Sequence, residues 1–265
     1  MRLQWSGKEA DIREAGQGPP VVLLHGYPLD GAMWSGVARI LATQFRVLKP
    51  DLPGRGNTPA PAAGGMEGYA DFVEAILAQL PAPVGLAGFS MGGYVALALM
   101  KRQPEKLAAL ALVDTRAFAD DEAGKAKRDE AIAKVRSEGV ASVADAMVEK
   151  LLAAESLRRR DLVERLRRIM LRQTPETVEA DLTAMKERPD STASLGGISI
   201  PTLVVVGEQD ALTPPRDSEA MASAIPGARL VSIPQAGHLT PMERPKAVAE
   251  ALSDLFAASL GAAHV

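Results

Sequence analysis

Short runs of consecutive apolar residues alternate along this chain with longer stretches in which apolar positions recur every three or four residues. Val21-Val22-Leu23-Leu24 and Phe45-Arg46-Val47-Leu48 predict two strands, the first buried on both faces. Between them, 33–43 carries Trp34, Val37, Ile40 and Leu41 at helical spacing. A helix is predicted over 66–80, a strand over 84–87, a helix over 94–102 and a strand over 108–113. After a long interruption come a strand at 202–206, opened by Pro201 and closed by Gly207, a helix at 214–224 and a strand at 229–233. The last helix, 245–258, places Val248, Leu252, Leu255 and Phe256 on one apolar side. Strands that alternate with helices and leave no wet face predict an α/β architecture: a mainly parallel, doubly wound sheet covered on both sides.

The interruption has a different texture. Residues 115–195 hold 16 basic and 16 acidic side chains and no convincing strand, with helical runs at 120–137, 140–154, 156–171 and 175–187. This predicts an all-helical lid at 115–195 inserted between two parts of one core, 1–114 and 196–265. The proline- and alanine-rich stretch at 59–65 reads as a loop.

Composition narrows the chemistry. A length of 265 residues is enough for one large α/β domain with a deep core. With 24% charged residues and a net charge of -3, no nucleic-acid surface is expected, and Arg158-Arg159-Arg160, followed by Asp161 and Glu164, reads as a solvated helix face. There is no cysteine, which excludes thiol catalysis and disulfides. The amino-terminal residues lack an apolar signal core, and no uncharged apolar segment approaches membrane-spanning length, so a soluble cytoplasmic protein is expected, with no membrane partner. Scattered leucines and methionines define no patch, and the sequence assigns no oligomeric state.

Ser90 stands in Gly88-Phe89-Ser90-Met91-Gly92-Gly93, between a predicted strand and a helix starting at Met91. A sharp turn there strains its apex, glycine at 88 and 92 removes the crowding, and the helix start leaves backbone N-H groups free to meet developing negative charge. An N-cap serine would look similar, but the paired glycines favour a nucleophile. Such a serine needs a base, and His25, His238 and His264 are the three histidines. His264 is next to the carboxyl terminus; His238 follows the last strand, at the sheet edge where reacting groups gather, and is the better candidate. A carboxylate must then orient the imidazole. Asp210, after the penultimate strand, is preferred, with Glu208 and Asp114 as rivals.

His25-Gly26-Tyr27-Pro28 follows the first buried strand, and glycine at 26 lets backbone approach another segment. The N-H groups of Tyr27 and Met91 could then form an oxyanion hole, with His25 bracing the loop by hydrogen bonds. Asp51-Leu52-Pro53-Gly54-Arg55-Gly56-Asn57 lacks the Lys-Ser/Thr of a nucleotide loop and reads as a shaped turn in which Asp51 and Arg55 lock the loop near the site. Trp34, Leu239 and Met242, like Met33 and Met91, could serve either as core or as pocket lining. No pair of histidines or carboxylates has metal-ligand spacing, so no metal site is expected.

These residues together resemble the α/β-hydrolase superfamily. The elbow Gly88-x-Ser90-x-Gly92, the loop His25-Gly26-Tyr27-Pro28, the Asp51-x-Pro53-Gly54-x-Gly56 turn and the order Ser90, Asp210, His238 carry the resemblance along the whole chain. Within the superfamily the chain looks most like the carboxylesterases, cofactor-free haloperoxidase-like perhydrolases and 3-oxoadipate enol-lactonases. Serine at 90 argues against the dehalogenase and epoxide-hydrolase branches, which use aspartate there.

The resemblance implies acyl transfer through Ser90, His238 and Asp210 without a cofactor, on small to medium carboxylic esters, with perhydrolysis as a side activity. A carboxylated enol-lactone is the alternative substrate; it needs a cation, for which Arg116, Arg168 and Arg172 are candidates. A non-catalytic ligand-binding protein on the same fold is the third reading.

Overall fold

The computed structural model describes residues 1–59, 64–102 and 105–261. His264 and most of the predicted 59–65 loop lie outside the described residues. Among the described residues there are nine strands: β1 (Arg2–Trp5), β2 (Lys8–Asp11), β3 (Arg13–Ala15), β4 (Pro20–Leu24), β5 (Arg46–Lys49), β6 (Val84–Phe89), β7 (Leu107–Val113), β8 (Thr202–Gly207) and β9 (Arg229–Ile233). The core helices are α1 (Ser35–Leu41), α2 (Gly65–Ala78), α3 (Met91–Met100), α8 (Pro215–Ala224), α9 (Thr240–Glu243) and α10 (Pro245–Leu260).

Seven strands form one sheet in the order β3-β5-β4-β6-β7-β8-β9, parallel throughout except for the antiparallel edge pair β3 and β5. The fold class read from the sequence is the one observed. Alternate side chains of each central strand enter two separate cores. Val22, Leu24, Leu110, Leu112 and Val204 pack with α2 and α3, while Val21, Leu23, Ala111, Leu203 and Val205 pack with α1 and α10. A side chain removed from water on either face contributes about 1.5–3 kcal/mol, which is why these strands read as unbroken apolar runs.

The amino-terminal hairpin and the edge strand β3 were not predicted. In β1 and β2, Leu3 and Ala10 point inward as cross-strand partners, and Ser6 and Gly7 turn the chain with φ of +47° and +75°. The predicted helix at 33–43 is shorter than expected: a 3-10 turn at Gly31–Trp34, capped by the Asp30 carboxylate on Ala32 N-H, precedes α1.

Between β7 and β8 lie α4 (Glu122–Glu138), α5 (Val140–Leu151), α6 (Arg160–Met170) and α7 (Pro175–Glu187), with no strand among the described residues of 115–195. Asp121 caps α4 on Gly124 N-H and Thr174 caps α7 on Thr177 N-H. The run at 156–171 divides into a 3-10 turn at Ser156–Arg158 and α6. No described helix is long and apolar enough to cross a membrane.

The chain leaves β4 for β5 on one side and returns to pair β6 on the other. This reversal opens a crevice beyond the carboxyl ends of β4 and β6, where His25 and Ser90 follow their strands.

Candidate active site

Ser90 occupies the turn between β6 and α3 with φ +49° and ψ -114°. For a residue with a Cβ this conformation costs on the order of 1–3 kcal/mol and needs external support. The Ser90 carbonyl accepts from Gly93 N-H at 2.8 Å and from the Thr115 hydroxyl at 2.8 Å, and Ser90 N-H donates to Val113 O at 2.9 Å. The flanking glycines are steric requirements: a Cβ on Gly88 would lie 2.4 Å from Gly92 O, and one on Gly92 would lie 2.6 Å from Leu24 O.

His238, in the loop between β9 and α9, faces this serine. Its Nε2 lies 2.9 Å from Ser90 Oγ and its Nδ1 lies 2.8 Å from Asp210 Oδ2. A carboxylate only accepts, so Nδ1 carries the proton and the Nε2 lone pair faces the serine hydroxyl. The ring packs against Phe89 with centroids 5.3 Å apart, and Trp34 meets Phe89 edge-on at 6.4 Å.

Both oxygens of Asp210 are fully engaged. Oδ1 accepts from Leu212 N-H at 2.8 Å and Thr213 N-H at 2.9 Å, and Oδ2 accepts from the Thr213 hydroxyl at 2.7 Å besides the imidazole. Burial works to raise the Asp210 pKa, but the charge and hydrogen bond of His238 and the bonds from Thr213 outweigh it and leave the group below the ordinary aspartate value. Thr213 was not singled out from the sequence; a threonine three residues after the acid was the available signal.

The two rivals of Asp210 are placed elsewhere. Glu208 is exposed. Asp114 is fully buried, its Oδ1 accepting Gly207 N-H at 2.9 Å and its Oδ2 accepting the Thr240 hydroxyl at 2.5 Å. It thereby ties β8 to the segment after His238. Burial, reinforced by the charge of Asp210, pushes its pKa well above the usual carboxylate range.

Across the crevice, Gly26 approaches closely: a Cβ there would lie 3.0 Å from Ser90 Cβ and 2.8 Å from the Phe89 ring. Gly26 thus sets the loop after β4 against the turn that carries Ser90, next to Met91, the first residue of α3, whose N-H belongs to the unpaired set at a helix start. His25 Nε2 accepts Leu52 N-H at 3.0 Å and its Nδ1-H donates to Gly26 O at 3.0 Å. Burial, then the charge of Arg55, drives its pKa well below the usual histidine value, so it is a neutral brace.

The glycine-rich turn secures the same loop from outside. Arg55 Nε donates to Leu29 O at 2.8 Å, Asp51 accepts Gly31 N-H at 2.9 Å, and Asp51 pairs with Arg13. Buried Arg55 also pairs with Asp181 of α7, which accepts the Tyr69 hydroxyl at 2.7 Å.

Of the cations considered for a carboxylated substrate, Arg116 is paired with Asp120 at 2.7 Å, Arg172 with Asp30 at 2.6 Å, and Arg168 is exposed. Trp34 and Leu239 are wholly buried and Met242 is 6% exposed, all in the apolar layer beneath the site. Arg159 corrects the expectation of a solvated arginine face: it is partly buried and donates to Glu243 O at 3.0 Å, while Arg158 and Arg160 are exposed.

A pimeloyl-[acyl-carrier protein] methyl ester esterase of Chromobacterium violaceum is 32% identical over 232 residues, 86% of this chain and 90% of that protein. A thermophilic esterase from Thermogutta terrifontis, solved with malate bound, is similar with a TM-score of 0.92, 38% identity and 98% of both chains covered. An enol-lactonase from Burkholderia xenovorans is similar with a TM-score of 0.87 and 27% identity, covering 97% of this chain and 99% of that one. Residues 19–245 match the alpha/beta hydrolase fold family, and the chain belongs to it as a hydrolase of that fold.

Proposed function

We propose that the protein is a serine hydrolase of carboxylic esters, with Ser90 as nucleophile, His238 as general base and Asp210 as the acid that orients it. The observation that carries this reading is the continuous contact from Ser90 Oγ to His238 Nε2 at 2.9 Å and from His238 Nδ1 to Asp210 Oδ2 at 2.8 Å, at the mouth of the sheet. Its support also includes relatives that are methyl ester esterases and a similar solved esterase.

In this mechanism the Ser90 oxygen attacks the ester carbonyl while its proton moves to His238 Nε2. The carbonyl oxygen becomes an oxyanion, met by the Tyr27 and Met91 N-H groups; losing one such donor costs roughly 3 kcal/mol of barrier. Asp210 stabilises the imidazolium. Collapse breaks the carbon–oxygen bond, and the alcohol leaves with the proton from His238. Water then gives its proton to His238 and attacks the acyl-serine, and the second collapse breaks the bond to Ser90 Oγ, which takes the proton back from His238 as the acid is released. Residues 115–195 act as a lid on the core of 1–114 and 196–265, held beside the oxyanion loop by Arg172 on Asp30 and Asp181 on Arg55.

The test is rapid mixing with a p-nitrophenyl ester. A burst of nitrophenol stoichiometric with enzyme supports the acyl-enzyme; release without a burst, unchanged in Ser90→Ala, opposes it.

Similarity to the enol-lactonase favours a second reading, opening of a carboxylated enol-lactone by the same groups. Of the candidate cations, Arg116 and Arg172 are held by aspartates and would have to exchange partners, whereas Arg168 is exposed. Fast lactone opening with poor turnover of neutral esters would promote this reading over the first.

A further inference from the structure

Glu243, the last residue of α9, is 2% exposed, and among the described residues no lysine or arginine side chain pairs with its carboxylate. Its oxygens are held by three backbone N-H groups from two distant segments. Oε1 accepts Gly237 N-H at 2.8 Å and Leu239 N-H at 3.3 Å, the two residues flanking His238. Oε2 accepts Ala153 N-H at 2.9 Å, from the helical insertion just after α5.

Three further contacts converge on this joint. Leu239 N-H also donates to Leu151 O at 3.0 Å. Gly237 lies so close to the insertion that a Cβ on it would come within 2.6 Å of Ala153 N and 2.9 Å of Leu152 C. Arg159, also of the insertion, donates to Glu243 O at 3.0 Å. Burying a carboxylate without a cation is costly, and an apolar side chain of similar volume would fill the space without that cost. What an apolar residue could not supply is an acceptor on both sides at once, for Gly237 N-H and for Ala153 N-H, which would be left unsatisfied.

We infer that Glu243 is a positioning residue that ties the insertion at Leu151–Ala153 to both neighbours of His238, so that the imidazole is held over Ser90 only while the insertion is docked. The inference rests on the reading of His238 as the base. Glu243 touches no reacting atom; it acts through the backbone that carries the ring.

Glu243→Gln keeps the shape but replaces one oxygen with an N-H donor, so one side of the joint must face donor against donor. Ala153→Pro breaks the same bond from the other side: it removes the N-H of the insertion, puts a ring carbon in its place and leaves the Glu243 side chain itself unchanged. The expected result for Glu243→Gln is a roughly ten- to hundredfold fall in kcat on a short-chain aryl ester, with little change in KM. Ala153→Pro lowers kcat in the same sense, and the double variant is no worse than Glu243→Gln alone, because both break one linkage. Should Ala153→Pro fail to fold, Gly237→Ala presses the same two surfaces apart and must lower kcat.

Amide hydrogen exchange reads the joint without any turnover: Glu243→Gln must speed exchange in peptides covering 151–153 and 237–239. Unchanged exchange there, a rise confined to KM, or a fall in kcat for Glu243→Gln but for neither Ala153→Pro nor Gly237→Ala would overturn the inference. Labelling of wild-type Ser90 by a fluorophosphonate separates the two claims. A labelled, active wild type with an equally active Glu243→Gln defeats the joint alone, whereas an unlabelled, inactive wild type defeats the serine-hydrolase reading.

Discussion

The Thr213 hydroxyl donates to Asp210 Oδ2 over 2.7 Å and lies 3.2 Å from His238 Nδ1, beside the oxygen that the imidazole reaches at 2.8 Å. It occupies a lone pair of that oxygen and leaves the other aimed at the ring. Thr213→Val removes this bond without changing shape. Hydrogen bonds to charged groups are worth about 1.5–3 kcal/mol, so kcat on an aryl ester should fall roughly tenfold or more, with Thr213→Ser retaining most activity.

Asp210→Asn should be far more damaging. The amide can present N-H to the ring, the proton then sits on Nε2, and the lone pair that faces Ser90 is lost. A fall in kcat of about 10⁴ is expected with the fold intact. Glu208→Gln, a change on an exposed side chain, should leave steady-state rates near wild type.

How far the sequence reveals this site depends on the kind of information each residue carries. Ser90 is legible because its strain demands glycine at 88 and 92, and that demand is local. Strands β4, β6, β7 and β8 are legible because both faces are buried. By contrast, β2, Lys8-Glu9-Ala10-Asp11, is short and mostly charged, and its pairing depends on the turn at Ser6-Gly7. Asp210 and Asp114 both follow central strands, and only the direction of their side chains separates them: one toward His238, the other toward Gly207 and Thr240. Glu243 was missed for a similar reason, since its partners are backbone amides up to 90 positions away, which no side-chain motif encodes.

The pairing of Arg55 with Asp181 joins the loop after β4 to α7, both side chains being essentially buried. Asp181→Ala leaves a guanidinium and the Tyr69 hydroxyl without their acceptor, and denaturant unfolding should register a loss of about 3–5 kcal/mol. Replacing both partners, Arg55→Met with Asp181→Leu, should recover much of that stability, because the uncompensated buried charge is then gone.

Asp120 gathers Arg116, Arg128 and Arg188 at the base of the insertion. Burial opposes its ionisation, but the hydrogen bond from Arg188 and the charges of Arg128 and Arg188 prevail and bring its pKa to about 2. A folded-state value below that of the unfolded chain means stability that is present above about pH 4 and is lost as pH falls toward 2, on the order of 2 kcal/mol. The gap in unfolding free energy between wild type and Asp120→Asn should therefore narrow over that interval; a gap independent of pH would assign the group no such role.

The chemistry proposed for the site requires the hydroxyl at position 90. Ser90→Ala should abolish turnover of a short-chain aryl ester while circular dichroism and the melting temperature stay close to wild type. Turnover undiminished in the folded Ser90→Ala protein would contradict it.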